Sequence, residues 1–173
     1  MRIGMVALGV AAAGGCASPA PDVTAAEGRL TASVVVTADD TLRDTVRFAA
    51  PAVARHCGGG PDLLIEGVNA GSGVLLWLRP GDSEPAGAYR YASPTDSAGP
   101  RTAVAAVRYV LNDVARGFTV DSGSLEVARG DGRLGVRVRG SGLTLPGGMR
   151  VAVAADFEGV PMPRDSVSCE REP

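Results

Sequence analysis

The single histidine of the chain, His56, stands directly before a cysteine, Cys57. These residue types can make a nucleophile and its base, the pair used in thiolate acyl transfer. The spacing argues against that use, because adjacent residues on an extended strand point to opposite faces. No G-x-S-x-G, H-E-x-x-H or G-x-x-x-x-G-K-[ST] segment occurs. The glycine-rich stretch CGGGP (57–61) precedes a strand pattern, not the helix start that would cradle a phosphate. Asp39, Asp40 and Asp44 carry oxygen donors of the kind calcium takes, but aspartate is also a turn former. The expectation is no metal and no cofactor. The tripeptide Arg129-Gly130-Asp131 matches an adhesion signal, and it is also what a tight hairpin turn looks like. Arg133, Arg137 and Arg139 share one face of a strand, with Arg150 expected opposite Arg139 and Asp156 opposite Arg133. With Glu126 nearby, that face reads as solvated and ion-paired. Arg139 and Arg150 are the weak candidates for binding an anionic ligand.

The elements that must position these residues read as strands. RLTASVVVT (29–37) ends at an Asp-Asp turn, and DTVRFAA (44–50) runs to Pro51. DLLIEGVN (62–69) and VLLWLRP (74–80) flank AGSG, which predicts a hairpin. The second is nearly all apolar, so it should be buried on both sides, with Trp77 in the core. AGAYRY (86–91) places Tyr89 and Tyr91 on one face. TAVAAVRYVL (102–111) fits helix or strand, and its valine alternation favours strand. FTVDSGSLEVA (118–128), RLGVRVRG (133–140) and MRVAVAADFEG (149–159) alternate strictly. They predict a meander in which Val127 faces Leu134, Leu125 faces Val136, Val138 faces Val151 and Val136 faces Val153.

The chain has 173 residues and a formal net charge of −2, and its 17 basic residues are all arginine, spread along the whole length. That spread lacks the clustered footprint of a nucleic-acid binder. Apolar residues make up 45% and aromatics only 4%, so the core should be built from small side chains.

At the amino terminus, Arg2 precedes the apolar run IGMVALGVAAA (3–13). The run is shorter than the ~20 residues of a membrane-spanning helix and fits the apolar part of a signal peptide. The AGGC that follows (13–16) resembles the lipobox of bacterial lipoproteins, with Ala13 where that family usually has leucine. The resemblance implies that residues 1–15 are removed and that Cys16 is diacylglyceryl-modified and becomes the first mature residue. It also implies membrane lipid as a partner. Ala17, rather than aspartate, implies the periplasmic face of the outer membrane in a diderm host. Plain secretion, with cleavage near Ala17, is the alternative. If Cys16 is lipidated, the remaining cysteines, Cys57 and Cys169, are free to pair outside the cytosol. Such a bond would place the last segment beside the one containing His56. Free buried thiols are the other possibility. Residues 16–28 read as the lipidated cysteine and a flexible tether, and 29–173 as one domain.

The expected fold is all-β, an antiparallel sandwich or small barrel. The expected role is that of a lipid-anchored cell-envelope protein with a non-catalytic binding or structural function. The sequence does not name a protein partner or ligand. A barrel carrying an apolar ligand among Trp77, Tyr89 and Tyr91 is the alternative, and an enzyme the second alternative.

Overall fold

Alternation of Val, Leu and Ala with polar residues commits most of this chain to strands that bury one face. The computed structural model describes residues 27–37, 43–58, 60–82, 84–95, 99–145 and 148–169. Ten strands form: β1 (Gly28–Thr37), β2 (Arg43–Cys57), β3 (Leu63–Asn69), β4 (Ser72–Arg79), β5 (Gly87–Tyr91), β6 (Thr102–Leu111), β7 (Val114–Gly130), β8 (Arg133–Leu145), β9 (Arg150–Pro161) and β10 (Ser166–Val167). The segment 102–111 is thus a strand, and no α-helix occurs among the described residues.

Neighbouring strands pair antiparallel in the order β1-β2-β3-β4-β6-β7-β8-β9, and β9 pairs back onto β1, with Leu30 opposite Phe157. The sheet is therefore closed into an eight-stranded barrel. β5 is inserted where β6 and β7 diverge, parallel to β6 and antiparallel to β7. β10 adds parallel to β2 beyond the point where β1 begins, with Ser166 beside His56.

A barrel of eight strands has an interior just wide enough for side chains to fill. Leu30, Val34, Ile65, Leu76, Ala105, Val138 and Ala155 all point inward at 0% exposure. Tyr109 meets Phe118 edge-on at 6.2 Å between ring centres. These side chains have no surface open to a water-sized sphere, so the space between them is filled.

Three hairpins turn through two residues that both take positive φ: Ala70-Gly71, Asn112-Asp113 and Asp131-Gly132. This is the type I′ geometry that matches strand twist. The third turn corrects the expected register. Gly130 pairs with Arg133, so Val127 faces Val136 and Leu125 faces Val138. In the next hairpin Val138 faces Ala155 and Val136 faces Phe157. Both slides are by an even number of residues, so the apolar face is unchanged. Two bulges, between Val120 and Ser122 and between Leu134 and Val136, also shift the ladder.

β2 does not stop at Pro51 but continues to Cys57. Pro51 lies one residue before the first β2–β3 rung, Ala52 opposite Gly67. Asn69 donates its side-chain amide to the Ala49 carbonyl at 2.9 Å. On its other side Pro51 is already a rung of the β1–β2 ladder, opposite Arg29.

Candidate functional site

The run VLLWL places apolar side chains on both faces of β4. Val74, Leu76 and Leu78 fill the barrel. Leu75 and Trp77 therefore point outward, and Trp77 is half-buried on the outer wall, not in the core as expected. In the ladder Trp77 lies between Leu64 of β3 and Val104 of β6, and Leu75 faces Ala106. Five apolar side chains thus floor one stretch of outer wall.

The carboxy-terminal segment raises a bank beside this floor. After β9 the chain crosses the barrel end where β1 starts, and β10 docks on β2. His56 N–H donates to Asp165 O at 2.9 Å and Gly58 N–H to Val167 O at 2.8 Å. A Cys57–Cys169 disulfide fixes the segment, with Cα atoms 5.3 Å apart. The pairing expected from the cysteine count is present, and so is the neighbour relation to His56.

Floor and bank border a groove of about 920 Å³, with Asp62 and Pro94 also in its lining. The Trp77 indole N–H donates to Asp62 Oδ2 at 3.2 Å. The Arg79 guanidinium sits 4.1 Å from the centre of the indole ring. A second depression, about 490 Å³ over β1, β2 and β9, is shallower and includes Asp156.

The other sequence candidates do not converge on a site. Cys57 is in the disulfide and offers no thiol. The adjacent His56 is half-buried, and its Nδ1 has no hydrogen-bond partner. Arg139 holds Asp156 with two hydrogen bonds, 2.9 and 2.8 Å, and Arg137 approaches the same carboxylate at 3.7 Å. Arg150 donates to Asp121 at 3.2 Å and to Ser141 at 2.8 Å. The Ser122 hydroxyl, and then Arg150, hold the Asp121 carboxyl below its usual range. Arg139 pairs with Ala154 and Arg150 with Leu143, so they do not face each other as expected. Likewise Asp156 faces Arg137, not Arg133. Both guanidiniums are engaged by internal carboxylates, which leaves no joint anion patch.

Tyr89 and Tyr91 share the inward face of β5. The Tyr89 hydroxyl donates to Pro85 O at 2.7 Å and that of Tyr91 to Ser124 O at 2.9 Å. Burial pushes the Tyr91 phenol up to about 12. They pack against the barrel core and are not in the lining of the groove over Trp77. In the Arg-Gly-Asp stretch, Arg129 is ion-paired with Glu84 and Asp131 forms the turn. Among the described residues no three His, Cys, Asp or Glu side chains cluster as metal ligands. Cys16, Asp39 and Asp40 lie outside the described residues.

Sequence reasoning missed the groove because a continuous apolar run looks the same whether its second face meets protein or solvent. Comparison with protein-family models, curated proteins and solved structures finds no match to this chain.

Proposed function

We propose that this is a lipid-anchored cell-envelope protein, held in the membrane through acylated Cys16, whose barrel has a non-catalytic binding role. In a diderm host its place is the periplasmic face of the outer membrane. The outer groove over Trp77 is the binding site. The single observation that carries the binding role is this groove, an apolar floor on three paired strands with few polar groups in its lining. Apolar pockets of this size with sparse polar groups are the usual form of a small-molecule site. Two features support the envelope setting: AGGC after an apolar run, and a disulfide, which persists outside reducing compartments. Two or more acyl chains anchor stably, whereas one binds marginally. An apolar-ligand carrier is the second reading, and it now points to the groove, because side chains fill the barrel interior.

Anchoring is tested by metabolic labelling with palmitate. The native protein should incorporate label and Cys16→Ser should not. A free thiol at Cys16 in the mass spectrum of the native protein overturns the anchor. Binding is tested with Nile red. The dye should brighten on the protein, and Trp77→Ser should weaken its affinity about tenfold, the effect of about 1.4 kcal/mol. Unchanged dye binding in Trp77→Ser would place the site elsewhere.

A further inference from the structure

Among the described residues, the lining of the groove carries one charged side chain, Asp62. Asp62 lines it and uses only Oδ2, which accepts the Trp77 N–H. Among the described residues no hydrogen bond or ion pair occupies its other oxygen. No other ionisable side chain among the described residues lines the groove, and the cystine does not titrate. Arg79 stacks on the indole but lies outside the lining. Arg55, next along the wall, is tied to Glu66.

A carboxylate at the margin of an apolar slot repels anions and attracts cations, more strongly than in open water because one side is protein. We propose that the groove selects a small amphipathic cation: an apolar or aromatic body seated over Trp77, Leu64 and Val104, with an amine on Asp62. This rests on the groove being the binding site, and it adds the charge class of the ligand.

Three probes with one apolar body test it: phenylbutylamine, phenylbutanol and phenylbutyrate. Each is titrated against the full chain in phosphatidylcholine vesicles, and the emission of Trp77, the single tryptophan, is read. The amine should bind about tenfold tighter than the acid, with the alcohol between them. Asp62→Asn, which keeps an acceptor for the indole, should bring the amine to the level of the alcohol and leave the alcohol unchanged. Equal affinity for amine and acid overturns charge selection while the groove stands. An undiminished amine preference in Asp62→Asn overturns the role of Asp62. No response to any of the three overturns both this inference and the groove reading.

Discussion

Cys169→Ser is expected to lower the melting midpoint by about 10–15 °C. The bond spans a sequence separation of 112 residues. In the chain-entropy model that restricts the unfolded state by about 4–5 kcal/mol. Little else holds the last segment, since β10 has two residues and pairs with only one strand. The variant should therefore lose the bank of the groove as well as stability, because Ser166–Cys169 form that bank. Scanning calorimetry with and without reductant checks this. Reductant should lower the midpoint of the parent protein and leave that of Cys169→Ser unmoved. An equal midpoint for parent and variant would show that the cross-link does not restrain the unfolded chain.

Gly142→Ala is expected to destabilise by about 3 kcal/mol or more, and to abolish folding if the backbone does not yield. A Cβ at this position would lie 2.1 Å from the Thr119 carbonyl oxygen and 2.9 Å from the Phe118 ring. The first contact is backbone of the paired strand β7, so no side-chain rotation relieves it. The position follows the bulge between Val120 and Ser122, where β7 and β8 come close. Gly130→Ala is the control. Nothing lies within 4 Å of its added methyl, so its effect should stay within about 0.5 kcal/mol. Urea denaturation of the two variants separates the cases, and similar midpoints would contradict the close approach.

Much of this barrel was legible because its strands carry strict alternation. Val127, Val136, Val138 and Val153 all point inward as their pattern requires. Their partners were not legible. The turn at Asp131-Gly132 takes two residues where four were available, and the pattern of alternation is identical for slides of two or four. Pro51 reads locally as a strand end, yet it lies within β2 as a rung opposite Arg29 of β1. The disulfide was legible from an odd cysteine count once Cys16 was set aside. The groove was not, because its floor comes from β3, β4 and β6 and its bank from residues some sixty or more positions later. Arg139 and Arg150 were rightly placed on an ion-paired outer face, but their partners Asp156 and Asp121 depend on the true register.

The ring is closed by Arg29 on the first strand meeting Glu158 on the ninth. A polypeptide emerging from the ribosome or threading through a translocation channel can form the β3–β4, β6–β7 and β7–β8 hairpins as they appear. It cannot close until β9 has arrived. Until then β1 and the newest strand both present unpaired edges, which are adhesive. A chain interrupted before Arg150 would keep those edges permanently and should aggregate. Joining ends so distant along the chain also makes closure slow. A chaperone that shields β1 during this interval would protect the whole molecule.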